Sequence, residues 1–196
     1  MALVITSDSA GIPYSDLPSG AVVQTVTARN TTTASKVFDA YATFEQVPGG
    51  LSVSITPSAI GNKMLIAAHL CWGGWAAGTD VSALFRIYKY TGGLGSNKAG
   101  NYVPSGTPGT NSTNGVATGC YKYNQGNSDS SYDSDDILIA DLSVTTLNTH
   151  DYMVWWACGY APVTRALYWN RGMNTPSAQA YRPTHTCTLT VTEIKA

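Results

Sequence analysis

Two histidine–cysteine pairs share one spacing, His69-Leu-Cys71 and His185-Thr-Cys187, and they are the residues here best equipped for chemistry. On a strand, positions i and i+2 share a face. Two such strands side by side would offer two imidazoles and two thiolates, a tetrahedral zinc donor set. The competing reading makes the cysteines small buried hydrophobes and leaves the histidines bonded to nearby carbonyls. Strand adjacency cannot be read from sequence, so both readings stand. The chain has 4 cysteines, at 71, 120, 158 and 187. None forms a Cys-x-x-Cys pair, which fits reduced thiols better than a disulfide framework. A second cluster, Asp129, Asp133, Asp135 and Asp136, lies in the polar run Asn127–Asp136. Carboxylates and hydroxyls gathered in a loop can hold Ca²⁺. This run lacks the glycine and terminal glutamate of an EF-hand, and a solvated acidic loop is the alternative. No cofactor is expected.

Enzymatic chemistry finds little else to use. No Gly-x-Ser-x-Gly elbow occurs. Paired carboxylates for glycoside cleavage would have to draw on the aspartates and on two glutamates, Glu45 and Glu193. A salt bridge or a surface position accounts for Glu193, and His150-Asp151 reads as a turn. The expectation is a protein that is not an enzyme. Aromatics are more prominent: Trp72, Trp75, Tyr88, Tyr90, Tyr102, Tyr121, Tyr123, Trp155, Trp156 and Trp169. Adjacent Trp155 and Trp156 must point to opposite faces of a strand, so some of these rings are core. Exposed rings anchor interfaces or stack on sugars. The interface or glycan candidates are Trp72, Trp75, Tyr102, Tyr121, Tyr123 and Trp169.

The elements that must position these residues are strands. Residues 21–29 are β-branched with a period of two, and Leu51, Val53 and Ile55 alternate with serines. Residues 36–46 read as one strand or a bulged strand. Lys63–Trp72 is a nearly unbroken apolar run, expected as a central strand buried on both faces. Val81–Tyr90, Ile137–Ala140, Tyr152–Ala157, Ala166–Trp169 and His185–Ile194 complete the set. Residues 91–119 form a long Gly/Ser/Asn/Pro-rich insertion without periodicity, of the kind kept for binding or for packing on a partner. The stretch 124–136 is polar. About 8–10 strands separated by turns predict an all-β, antiparallel jelly-roll/β-sandwich. Residues 1–19 form a short N-terminal arm broken by Gly11, Pro13 and Pro18, expected to serve attachment or strand exchange, in which Leu3-Val-Ile5 can add as a strand to a neighbour. The sandwich domain spans 20–196.

Composition excludes several classes. The 196 residues include only 12% charged residues, and the formal net charge is -1. Scarce Glu and Lys with 19 glycines argue against helical bundles. No basic stripe suggests a nucleic-acid partner. The longest apolar stretch, Met64–Gly78, contains His69 and is shorter than the roughly 20 residues of a membrane span. The first residues lack the basic and apolar regions of a secretory signal, so synthesis in a cytoplasm is expected.

Several phrases carry a family resemblance in their order. They are Gly20-Ala-Val-Val-Gln-Thr-Val26, Leu51-Ser-Val-Ser-Ile-Thr-Pro57, Lys63-Met-Leu-Ile66, Leu167-Tyr-Trp-Asn-Arg171 and Thr188-Leu-Thr-Val-Thr-Glu-Ile194. Over residues 20–195 the chain resembles the β-rich tail-fibre and virion structural modules of tailed, especially aquatic, bacteriophages. The resemblance implies a non-enzymatic, homotrimeric jelly-roll module on the virion surface, made in the host cytoplasm. Its implied partners are further copies of itself, phage capsid or tail proteins and, in the alternative reading of a receptor-binding fibre head, host-surface polysaccharide. The resemblance supplies no catalytic residues. The 91–119 insertion and the five tryptophans depart from the usual pattern. So does the lack of a repetitive shaft, which leaves capsid decoration beside tail fibre.

Overall fold

The β-branched and aromatic segments pair as strands because only a sheet satisfies their backbone groups while burying one side-chain face. The structure, a computed structural model, describes residues 3–6, 13–38, 44–75, 83–91, 101–103, 132–141, 144–159, 165–171 and 185–196. Within these residues lie twelve strands: β1 (Leu3–Thr6), β2 (Val22–Asn30), β3 (Ala34–Phe38), β4 (Glu45–Gln46), β5 (Ser52–Ile55), β6 (Lys63–Trp75), β7 (Ala83–Thr91), β8 (Asn101–Val103), β9 (Tyr132–Asp141), β10 (His150–Cys158), β11 (Arg165–Trp169) and β12 (Cys187–Ile194). Each described pairing is antiparallel. The protein is an antiparallel β-sandwich, the class its sequence predicts.

Seven strands make the larger sheet and five the smaller one. Register shows that several strands are pieces of one lane. β6 pairs with β12 over 63–69 and, on the same edge, with β11 over 72–75. β11 and β12 therefore lie end to end, the lane breaking off after Trp169 and resuming at Cys187. β2 and β3 lie end to end beside them, with Asn30 opposite Cys187 and Ala34 opposite Trp169. β9 runs along the other edge of β6, and β1 adds to β2. In the smaller sheet, β4 and β5 share one edge of β10, and β7 and then β8 lie on the other. The turn between β4 and β5 uses positive φ at Gly49 and Gly50, +73° and +67°, where L side chains are disfavoured.

The core fills the space between the sheets. Met64, Ile66, Leu70 and Trp72 of β6 meet Phe85 and Ile87 of β7 and Tyr152, Val154 and Trp156 of β10. Trp156 packs edge-on against Trp169 at 5.7 Å and against Phe38 at 5.5 Å. Trp155 points the other way, into a second buried cluster with Tyr88, Tyr90 and Met153. Leu51, Val53 and Ile55 face the core as their alternation requires.

The structure corrects several expectations. Residues 36–46 are not one strand: β3 belongs to the larger sheet and β4 to the smaller. The outer face of β6 is open only toward its start, where Leu65 is 39% exposed, and is buried at Cys71. The polar stretch 124–136 ends within β9, which begins at Tyr132. His150 and Asp151 are not a turn but buried residues of β10. β8 lies inside the 91–119 insertion. In the expected arm, β1 pairs with β2 of the same chain. Residues 14–17 are held by the Lys195 ammonium, which donates to the carbonyls of Tyr14, Ser15 and Leu17.

Candidate functional site

Alternation along β6 sends His69 and Cys71 to the outer side of the larger sheet, opposite to Leu70 and Trp72. The register of β9 sets Asp136 directly across from His69, and β12 sets Thr188 on the other side. His69 Nδ1 lies 2.8 Å from Asp136 Oδ1, and His69 Nε2 lies 3.3 Å from Cys71 Sγ. The result is a carboxylate–imidazole–thiol chain. The His69 side chain is 43% exposed and that of Asp136 84%, whereas Cys71 is buried. The hydrogen bond to Asp136 raises the imidazole's pKa most; partial burial opposes it, and Cys71 adds to the rise. Such a chain can hold a thiol proton on the imidazole.

The four-membered zinc set does not form. β12 does lie beside β6, but Cys187 faces the interior, its Sγ 2.8 Å from Asn170 Oδ1. Burial pushes that thiol's pKa far up. His185 precedes β12, and its backbone N–H donates to the Asn170 carbonyl. In the His69 chain, carboxylate and thiol meet opposite ring nitrogens, so they cannot share one ion. Among the described residues no group of three or more His, Cys, Asp or Glu is placed to hold a metal. Of the acidic candidates, Asp129 lies outside the described residues. Asp133 and Asp135 stand on β9, opposite Trp72 and Leu70, and Asp136 bonds to His69.

A buried polar clasp sits next to the thiols where the β11–β12 lane is interrupted. Asn170, fully buried, adopts a positive φ of 55°, a conformation asparagine tolerates better than most residues. Its Nδ2 donates to the Asn30 carbonyl at 2.8 Å and the Thr32 carbonyl at 3.0 Å. Its Oδ1 accepts from the Cys187 N–H at 3.1 Å. Asn30 Nδ2 in turn donates to the carbonyls of Pro48 and Gly50. The sequence reading missed this clasp; a lone asparagine before Arg171 gives no periodic signal.

Two further buried networks were not foreseen. Lys89 Nζ and Tyr152 OH each lie 2.7 Å from Asp141 Oδ2 inside the sandwich. Nearby His150 is buried, with Nδ1 3.2 Å from Thr91 Oγ1. Burial first, and the Lys89 charge second, lower its pKa. Glu193 is not at the surface and, among the described residues, is in no salt bridge. Its buried carboxylate accepts from Asn62 Nδ2 at 2.6 Å, the Ser58 N–H at 2.7 Å and Gln24 Nε2 at 2.5 Å. Glu45 pairs with Lys36 at 3.1 Å.

Of the aromatic candidates, Trp72 and Trp169 are fully buried core residues and cannot stack on a sugar. Trp75 stands at the end of β6 and Tyr102 in β8. Tyr121 and Tyr123 lie outside the described residues.

These features define a β-sandwich with broken lanes and internal polar clasps. No family model matches the chain, and no curated protein does. Among solved structures it is similar to a chain in "Structure of infectious bursal disease virus Gx strain", at 12% identity and a TM-score of 0.39. The match covers 88% of this chain, which spans 36% of the length of that one.

Proposed function

We propose that this chain is a non-enzymatic structural protein of a virion, an exterior homotrimeric module that decorates a capsid or forms a fibre. The resemblance of residues 20–195 to tailed-phage structural modules supports the virion assignment. Two rows on the outer side of the larger sheet carry the self-association, and the row of His69 beside them stays open. Register lines up Thr25, Thr192, Leu65 and Ala140 in one row and Thr27, Thr190, Ala67 and Leu138 in the next. Neither row holds a charge. The threonine hydroxyls already bond across strands, at 3.1 Å for Thr25–Thr192 and 2.9 Å for Thr27–Thr190. Covering them therefore leaves few unmet donors. Leu138 is 69% exposed in the single chain. Two uncharged rows with exposed leucines, bordered by the row of Arg29, His69 and Asp136, suit burial against another copy.

The alternative, a receptor-binding fibre head that recognises host-surface glycan, loses Trp72 and Trp169 to the core, and no described observation favours it. Sedimentation velocity tests the proposal: the wild-type chain should run as a trimer, and Leu138→Glu as a monomer with an unchanged circular dichroism spectrum. A wild-type monomer at tens of micromolar would refute self-association. Quantitative mass spectrometry of purified virions tests the assignment separately. Hundreds of copies per particle mean capsid decoration, a few to a few tens mean a fibre, and absence overturns the virion role.

A further inference from the structure

We propose that Cys71, with His69 and Asp136, forms a nucleophilic-thiol site at the outer side of the larger sheet that accepts small uncharged electrophiles. Three observations carry it. First, the order is that of an activated nucleophile: Asp136 engages Nδ1, so the Nε2 lone pair faces Sγ at 3.3 Å. The carboxylate fixes the tautomer and stabilises the imidazolium once the thiol proton has moved. Second, the imidazole and carboxylate reach solvent while the sulfur lies beneath them. A small reagent arriving past the ring meets a sulfur whose proton already has an acceptor. Third, the other described thiols differ. Cys187 is enclosed by Asn170 and the Cys71 backbone; Cys71 and Cys158 are equally buried, and Cys71 has the His69 imidazole at 3.3 Å.

The groups facing His69 are few. Its own strand gives Cys71, β9 gives Asp136, and β12 gives the uncharged Thr188. Arg29 stands beyond Thr188 in the same row.

The chemical step is an ordinary displacement. The thiol proton passes to His69 Nε2, and the sulfur lone pair attacks the electrophilic carbon. With iodoacetamide, the S–C bond forms as the C–I bond breaks, and iodide leaves with the bonding pair. The proton stays on His69 until solvent takes it. No oxidant or reductant is needed.

The test is timed alkylation of the folded protein with iodoacetamide, read peptide by peptide by mass spectrometry at pH 5.5–8.5. Cys71 should react at least about tenfold faster than Cys158 and Cys187 below pH 7, where an ordinary thiol is almost wholly protonated. His69→Gln should slow Cys71 by about tenfold or more and restore the steep pH dependence of a free thiol. Asp136→Asn should slow it by a smaller factor. Both variants alter exposed side chains, and an unchanged thermal midpoint shows that they fold. The proposal is overturned if Cys71 reacts no faster than Cys158 and Cys187. It is equally overturned if His69→Gln leaves the rate unchanged or raises it, since the imidazole would then only cover the sulfur.

Discussion

Replacing Asn170 by alanine should be among the most damaging single changes in this protein, although Asn170 lies in no strand. Its side chain satisfies two backbone carbonyls, of Asn30 and Thr32, and one backbone N–H, of Cys187. Alanine leaves all three unmet in a dry setting. A buried group left without its partner costs about 1–3 kcal/mol, so the three together cost about 3–5 kcal/mol once neighbours relax. Alanine also has no side chain to ease the left-handed backbone at φ 55°, which adds about 1 kcal/mol. Glycine removes that strain and none of the hydrogen-bond loss, so Asn170→Gly should be more stable than Asn170→Ala by about 1 kcal/mol. Domains of this kind are stable by about 5–15 kcal/mol, so the alanine variant keeps only part of its stability. Urea unfolding followed by tryptophan fluorescence measures both variants, because Trp169 adjoins the clasp. A loss below about 1 kcal/mol for alanine would refute the clasp as an energetic element. A glycine variant weaker than alanine would refute the backbone argument.

Two further outcomes follow from the interior networks. Asp141→Ala should cost about 3–5 kcal/mol, because it removes the carboxylate 2.7 Å from the buried Lys89 ammonium. The double variant Lys89→Met, Asp141→Leu should recover most of that loss, and thermal melts in which the two losses simply add would sink the coupling. The two histidines should shape the pH profile from opposite sides. His69 has a folded pKa above its unfolded 6.5, so its contribution is full below pH 6.5 and is lost as pH rises through the folded value. His150 has a folded pKa below 6.5, so the unfolded chain takes the proton first and stability is lost as pH falls below 6.5. Stability measured across pH 4.5–8.5 should lose its alkaline slope in His69→Gln and its acid slope in His150→Gln, and imidazole titration by NMR should place the two pKa values on opposite sides of 6.5. Both histidines titrating on the same side would contradict the assigned surroundings.

The parts of the fold legible in the sequence are those with one buried face and a local period. Leu51–Ile55 and Cys187–Ile194 alternate because serine or threonine takes the open side, and the structure buries the expected set. β6 misled because the middle of its outer face is apolar: Leu65 and Ala67 look like core residues but stand on the outer sheet surface. β9 misled in the opposite way. Its acidic first half has poor strand propensity, yet β6 is long enough to give it a partner, and charge suits a sheet edge. His150-Asp151 read as a turn because both are polar, and only the opposing strand supplies the partners that let them be buried. For the site, the His-x-Cys spacing rightly placed His69 and Cys71 on one face. The third member, Asp136, depends on strand register over 67 residues of separation, which no local pattern encodes. The interrupted lanes were invisible for the same reason.

The interruption between β11 and β12 also makes the protein a natural carrier. The chain leaves at Asn170 and returns at His185, and the His185 N–H bonds to the Asn170 carbonyl at 3.2 Å. With the two ends fastened together by the sandwich itself, lengthening the connection between them costs loop-closure entropy. That cost grows by about 0.6 kcal/mol for each doubling of length. A foreign peptide or a small folded cargo spliced into this connection would enter and leave the sandwich at two points held together by that bond. Every copy in an assembly would display it at the same point.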